Sequence, residues 1–168
     1  MEIDRTWPPP PTNDDEPVEA PPETPSPPID ARVPTPPSVA HPAAFVDSSA
    51  MIALVDRDDE THTAVVDAYR GLVSDGYKLI TTNYVVAETF DLLTVGLGVA
   101  IAKQWLRDSR LAIYHADEQD EAKARQMLLA AGEQRQLSFT DAVSLVVMDR
   151  LGITDAFAVD PNFLAETA

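Results

Sequence analysis

Four acidic residues that lie far apart in the sequence each stand at the edge of a predicted strand or helix. Asp47 follows the apolar run 43–46, Glu88 lies near the start of a helix, Asp141 opens another helix, and Asp160 follows the apolar run 156–159. Several carboxylates in one pocket repel each other unless a cation lies between them, and hard divalent ions prefer oxygen ligands of this kind. If the fold brings these acids together, they predict a metal-dependent enzyme.

The elements that must position these acids are short apolar runs that alternate with helical stretches from residue 43 onward. We predict strands at 45–46, 78–82, 111–114 and 156–159, with helices at about 49–55, 59–74, 83–95, 117–132 and 138–151 and one more ending near 108. Strands that alternate with helices indicate an α/β fold. We expect a central parallel sheet of four or five strands with helices on both faces.

The expected sheet offers a common location for the acids. Sites in open parallel sheets gather at the carboxyl ends of the strands. Asp47 and Asp160 come directly after strand residues, while Asn83, a plausible N-cap, and Glu88 begin the helix that leaves the second strand. All four acids can therefore lie along one edge.

Three of the acids also have a purely structural interpretation. Asp47 can cap the helix that follows it, and Ser138 with Asp141 matches a capping box. Asp160 precedes a proline, and Asp-Pro commonly opens a turn. Taken singly, each of these acids can be explained without any chemistry.

Glu88 is harder to explain as a structural residue. Apolar residues lie within one or two turns of it on the same helix face: Tyr84, Val85, Leu92 and Val95. A carboxylate in an apolar stripe costs free energy unless it is paired or bound to a metal. Glu88 therefore favours the metal site over four unrelated caps.

Residues 44–164 resemble a PIN domain, the nuclease fold of VapC-type toxins. The resemblance is carried by four segments, Phe-Val-Asp-Ser-Ser-Ala at 45–50, Thr-Thr-Asn-Tyr-Val-Val-Ala-Glu-Thr at 81–89, Leu-Ser-Phe-Thr-Asp-Ala at 137–142 and Phe-Ala-Val-Asp-Pro-Asn-Phe at 157–163. The second and third segments are the more specific. The fourth departs from the family pattern, which more often has an aromatic residue before the acid and a polar one after it.

The resemblance implies a role for each acid. Asp47, Glu88 and Asp141 resemble the three core acids that bind Mg²⁺ or Mn²⁺, and Asp160 resembles the fourth, more variable acid. Thr140 resembles the hydroxyl-bearing residue that often precedes the third acid. The implied reaction is metal-dependent hydrolysis of an RNA phosphodiester. The resemblance also implies a homodimer and an antitoxin partner, which would insert a basic side chain into the acid pocket.

Two other functions remain open at this point. The chain could be a PIN-like interaction module without catalysis, although the presence of all four acids argues against degeneration. An acidic-pocket phosphotransferase fits less well, because Asp47 is followed by Ser48 and Ser49 and the Asp-x-Asp pattern is absent.

The first 42 residues differ in composition from the rest. They hold 14 of the 15 prolines and few large apolar residues, so they cannot bury enough surface to offset the entropy of ordering. We predict a disordered, acidic, proline-rich tail over 1–42 and a nuclease-like domain over 43–168. A solvated leader explains the tail more simply than a segment that docks on a domain binding proline-rich peptides.

Charge and composition limit the partners and the compartment. The chain has a net charge of −16, and an acidic surface binds nucleic acid poorly without specific contacts. Candidate RNA contacts are Arg57, beyond the first helix, and Lys103, Arg107 and Arg110, whose spacing predicts one helix face. A solvated basic face explains that spacing at least as well as an RNA contact. The absence of cysteine excludes disulfides and fits a cytoplasmic protein, and no apolar run is long enough to cross a membrane.

Overall fold

The computed structural model describes residues 42–132 and 137–167. Its strands are β1 (Ala43–Val46), β2 (Lys78–Thr82), β3 (Ala112–Tyr114) and β4 (Asp155–Phe157). Its helices are α1 (Ser48–Val55), α2 (His62–Ser74), α3 (Asn83–Gly96), α4 (Val99–Asp108), α5 (Glu118–Ala130), α6 (Phe139–Leu151) and α7 (Pro161–Thr167). The predicted tail over 1–42 lies outside the described residues except for Pro42.

The four strands form one parallel sheet in the order β3-β2-β1-β4. The chain moves outward from β1 through β2 to β3 and then returns to place β4 on the other side of β1. Because parallel crossovers are right-handed, this reversal puts α1 to α4 over one face of the sheet and α5 with α6 over the other. The predicted α/β class and parallel sheet are confirmed, with four strands.

The apolar core is organised in two clusters. The larger is centred on β1 and α1 and includes Phe45 and Phe163, both fully buried, whose ring centroids are 6.2 Å apart. The smaller joins α5 to α6 through Ala124, Val143 and Val147. Burial of a large apolar side chain contributes about 1.5–3 kcal/mol, so these contacts hold the helices that carry the acids against the sheet.

Side-chain caps determine where the helices at the carboxyl edge begin. Ser138 and Asp141 form the predicted capping box of α6, and α6 ends at Leu151, before the C-cap Gly152, whose φ of 65° is left-handed. The N-cap of α3 is Thr82, whose hydroxyl accepts a hydrogen bond from the Val85 N–H. The predicted cap, Asn83, instead accepts a hydrogen bond from the Ala116 N–H and ties α3 to the segment after β3.

The last strand is shorter than predicted at its carboxyl end. β4 spans Asp155–Phe157, and its pairing with β1 ends where the Asp47 N–H donates to the Phe157 carbonyl at 3.0 Å. Asp160 therefore does not directly follow a strand, because α1 begins beside this point and β1 offers no further partner.

In the described residues, no helix has the length and apolar character needed to cross a bilayer.

Candidate active site

Asp47 lies at the junction of β1 and α1 with one carboxylate oxygen held and the other free. It is the N-cap of α1, and its Oδ2 accepts hydrogen bonds from the Ser49 N–H at 2.9 Å and the Ser49 hydroxyl at 2.6 Å. The residue is only 3% exposed, and its buried Oδ1 has no hydrogen-bond partner within the described residues. A buried oxygen without a partner costs free energy, so this atom is available for a ligand that supplies positive charge.

Glu88 reaches Asp47 from the second turn of α3. It is half-buried, and its Oε2 accepts a hydrogen bond from the Ser48 hydroxyl at 2.8 Å. The Thr140 hydroxyl lies close enough to act on the same carboxylate. Glu88 is thus enclosed by α1 and α6, two elements distant from it in sequence.

Asp141 is both a helix cap and a member of the acid group. Its Oδ2 accepts a hydrogen bond from the Ser138 N–H at 2.8 Å, while the Ser138 hydroxyl accepts one from the Asp141 N–H at 3.0 Å. The partial positive charge at the start of α6 favours an acid at this position. The capping role and a metal-binding role are therefore compatible, because the cap occupies only one carboxylate oxygen.

The pKa values show that these three acids share one electrostatic environment. Burial raises the pKa of Asp47 above its ordinary value, and the charge of Asp141 raises it further, against the lowering effect of hydrogen bonds from Ser49 and Ser48. Burial also raises the pKa of Glu88, as do the charges of Asp47 and Asp141, while hydrogen bonds from Ser48 and Thr140 lower it. The fold therefore brings Asp47, Glu88 and Asp141 together, although three different elements carry them.

Asp160 lies beside this group and is connected to it through the backbone. Its N–H donates to the Ser49 hydroxyl at 3.2 Å, and its Oδ1 accepts from the Asn162 N–H at 2.9 Å at the start of α7. Its charge is not among those that shift the pKa of Asp47 or Glu88. The structure thus places Asp160 at the rim of the acid group.

The chemistry of this oxygen donor set fits Mg²⁺ or Mn²⁺. A divalent cation would satisfy the free Oδ1 of Asp47 and offset the burial and the neighbouring charges of Asp47 and Asp141 that raise the pKa of Glu88. Within residues 42–132 and 137–167, no group of three acidic or histidine side chains is arranged to hold a metal ion as it stands. Binding would therefore require side-chain rotations that direct the remaining carboxylate oxygens toward one point.

Two of the candidate RNA-contact residues lie away from a helix face. Arg57 is exposed in the turn after α1, at the opposite end from Asp47 of an eight-residue helix about 12 Å long. Arg110 does not share a helix face with Lys103 and Arg107, because α4 ends at Asp108 and the backbone is extended from Ser109. This corrects the predicted three-residue face.

The three candidate RNA contacts in and after α4 have different surroundings. Lys103 and Arg107 are exposed one turn apart on α4. Arg110 lines a groove of about 470 Å³ together with Lys78 and Leu79. Those two residues begin β2, whereas Glu88 follows its end, so Arg110 lies toward the other edge of the sheet from the acids.

The two serines after Asp47 have contacts that the sequence interpretation missed. No contact was assigned to Ser48 or Ser49 from the sequence, yet Ser48 bonds Glu88 and Ser49 bonds both Asp47 and the backbone at 159–160. The available signal was two adjacent hydroxyl residues directly after an acid at a strand end. Their partners could not be read from the sequence, because they lie 40 to 111 positions away.

Comparison with known proteins places this geometry in a family. Residues 44–167 match the PIN domain. Two curated relatives, the 23S rRNA-specific endonuclease VapC20 of Mycobacterium tuberculosis strains CDC 1551 / Oshkosh and ATCC 25618 / H37Rv, are each 35% identical over 124 residues, which is 72% of this chain and 92% of theirs. The crystal structure of M. tuberculosis VapC20, described as a Sarcin-Ricin loop cleaving toxin, matches with a TM-score of 0.63 and 31% identity, covering 73% of this chain and 93% of that one. The resemblance seen in the sequence is confirmed, and the chain belongs to the PIN domain family.

Proposed function

We propose that this chain is a metal-dependent endoribonuclease and the toxin of a toxin–antitoxin pair. The observation that carries the proposal is the meeting of Asp47, Glu88 and Asp141 around a buried, unpartnered carboxylate oxygen. Burial and the charge of Asp141 raise the pKa of Asp47, and burial and the charges of Asp47 and Asp141 raise the pKa of Glu88. The relatives named as endonucleases support the same reaction class. The active domain is residues 43–168.

Each acid has a defined part in this proposal. Asp47, Glu88 and Asp141 hold Mg²⁺ or Mn²⁺, and Asp160 is the fourth, more distant acid. When bound, the metal supplies a Lewis acid that offsets charge at the phosphate and lowers the pKa of a water molecule. The Ser48 hydroxyl fixes one oxygen of Glu88 at 2.8 Å, and Thr140 supports the same carboxylate, so the acid stays directed into the site while substrate binds.

The proposed substrate is a structured loop of 23S ribosomal RNA. The relatives' names specify 23S rRNA and the Sarcin-Ricin loop. A chain with net charge −16 has little general attraction for RNA, so a single defined loop suits it better than bulk RNA. Lys103 and Arg107 on α4, with Arg57 and Arg110, are the proposed RNA contacts.

The proposed protein partners are an antitoxin and a second copy of the chain. Exposed apolar residues cluster where α3 turns into α4, with Leu92 47% exposed, Val95 87% and Val99 50%. Contiguous exposed apolar surface marks a contact site in soluble proteins, and it would suit a homodimer. The absence of cysteine is consistent with action in the cytoplasm.

The test is cleavage of purified ribosomes and of total RNA by the full chain. We expect one cut in 23S rRNA with Mn²⁺ or Mg²⁺, no cut with EDTA, and no cut by Asp141→Asn. Asp149→Asn is the matched control, since Asp149 lies on the same helix and is exposed. Cleavage that persists in EDTA would exclude the metal mechanism. Absence of cleavage together with absence of Mn²⁺ binding would favour the non-catalytic interaction module.

A further inference from the structure

The Ser49 side chain connects two parts of the acid group that no strand or helix joins. Its hydroxyl donates to Asp47 Oδ2 at 2.6 Å and accepts hydrogen bonds from the Val159 N–H at 3.1 Å and the Asp160 N–H at 3.2 Å. Asp47 follows β1, while the two backbone donors lie in the segment between β4 and α7. One oxygen atom therefore contacts the acid two positions before it and a segment 110 residues further along the chain.

The hydrogen-bonding capacity of this hydroxyl is completely used. A serine hydroxyl has one O–H donor and two acceptor lone pairs. The two lone pairs receive backbone N–H groups, which can only donate, so the single proton must point to Asp47. The direction of each of the three hydrogen bonds is therefore determined.

This arrangement determines which oxygen of Asp47 is free. Both the hydroxyl and the backbone N–H of Ser49 donate to Oδ2, at 2.6 and 2.9 Å. The other oxygen, Oδ1, is left buried without a partner in the described part of the chain. Because both Ser49 groups donate to the same oxygen, they orient the carboxylate with its other oxygen directed away from them.

The same contact supports the segment that carries Asp160. β4 ends at Phe157, so Val159 and Asp160 are outside the ladder. Partly buried backbone N–H groups require acceptors, and Ser49 supplies one for two consecutive residues. We propose that Ser49 is a positioning residue that joins the first acid of the site to the backbone of the fourth, an inference that rests on the proposed metal site.

Ser48 provides a contrast within the same helix turn. Its hydroxyl donates to Glu88, whereas the backbone at 159–160 bonds Ser49, so Ser48→Ala removes a bond to an acid without releasing that segment. A general weakening of α1 would affect both serine variants alike. The proposal requires them to differ in the segment after β4.

The experiment measures the full chain by amide hydrogen exchange without metal and by Mn²⁺ titration calorimetry. In Ser49→Ala we expect exchange at Val159 and Asp160 to rise by up to about tenfold, because their acceptor is lost. We expect the Kd for Mn²⁺ to rise about 10- to 100-fold, the usual effect of removing a residue that orients a metal ligand. Ser49→Thr keeps the hydroxyl and should restore both values.

Three comparisons make the outcome decisive. Ser48→Ala should leave exchange at 159–160 unchanged, and Thr94→Val, which removes a hydroxyl bonded only to Phe90 of its own helix, should change neither measurement. Unchanged exchange and a Kd within about twofold of wild type in Ser49→Ala would overturn the proposal. If Ser49→Ala does not fold, Ser49→Cys, with its weaker donor and acceptor, must show both effects in smaller measure or the proposal fails.

The two proposals fail in distinguishable ways. A wild-type chain that binds no Mn²⁺ would refute the metal-dependent function. Exchange at Val159 and Asp160 needs no metal, so it would still decide whether Ser49 holds this segment.

Discussion

Replacing Glu88 with glutamine should have opposite effects on stability without and with a divalent cation. Glutamine keeps the length of the side chain and an oxygen that can accept from Ser48, which now donates at 2.8 Å. It removes a charge that burial and the charges of Asp47 and Asp141 disfavour. Without metal at pH 7, we therefore expect Glu88→Gln to be more stable than the wild type.

The direction of the pH dependence follows from the raised pKa. A group with a raised pKa in the folded state contributes stability that is present below its unfolded value, here 4.5, and is lost as pH rises through the folded value. The wild type without metal should therefore gain stability as pH falls from 7 toward 4.5. Glu88→Gln should lose the part of that gain that comes from Glu88 and retain the part from Asp47, whose pKa is also raised.

With metal, the order of stability should reverse. A cation at about 100 times its Kd stabilises the folded state by about 2.7 kcal/mol, which for a domain of this size is a Tm increase of roughly 10 °C. Loss of a ligand should weaken binding at least as much as loss of an orienting residue, or about 100-fold. The same Mn²⁺ concentration would then equal the Kd of the variant and stabilise it by only about 0.4 kcal/mol.

The assay is calorimetric melting of the full chain at pH 7 in EDTA and in Mn²⁺. Glu60→Gln is the matched control. Glu60 is exposed in the turn after α1, and its replacement changes the net charge by the same amount as Glu88→Gln. The control should follow the wild type in both buffers. Equal Mn²⁺ stabilisation of wild type and Glu88→Gln would refute the reasoning, as would destabilisation of Glu88→Gln in EDTA by more than about 1 kcal/mol.

Three further substitutions test the site and its support. Asp160→Asn should lower kcat for RNA cleavage by about tenfold, less than Glu88→Gln, because Asp160 lies at the rim; an equal loss would place it among the core ligands. Thr81→Val should cost about 1–2 kcal/mol in denaturant unfolding, because its buried hydroxyl bonds the carbonyl before Asp47, whereas Thr94→Val breaks only a bond within its own helix and should cost less than about 0.5 kcal/mol. Phe163→Ala should cost about 3–5 kcal/mol in the same assay, and a cost below about 1 kcal/mol would contradict its complete burial.

The apolar periodicity of the sequence was sufficient to predict which strands and helices form, but not where each of them begins and ends. The alternation of apolar runs with helical stripes predicted the four strands and the parallel sheet. It placed the cap of α3 at Asn83, whereas the structure has Thr82 as the cap. The Asn83 side chain instead accepts a hydrogen bond from the Ala116 N–H, because the segment after β3 lies next to the start of α3. It also extended a helix face to Arg110, beyond the end of α4 at Asp108.

The surroundings of Glu88 also could not be predicted from the periodicity of its own helix. The sequence suggested that Leu92 and Val95 on its own helix face would surround it, yet these residues are 47% and 87% exposed. What encloses Glu88 is the approach of Ser48 from α1 and Thr140 from α6. Helical periodicity identifies an apolar stripe along a helix, but it does not determine which other element of the fold packs against that stripe.

The sequence by itself determined which acids exist and that each stands at the edge of an element, because caps, turns and apolar periodicity are local properties of the chain. It could not determine that Asp47, Glu88 and Asp141 share one electrostatic environment or that Ser49 bonds the backbone at Asp160. Those contacts depend on parallel pairing of β1 with both β2 and β4 and on the packing of α6 beside α3. Such pairings join segments tens of residues apart, and only the burial of a common core selects among them.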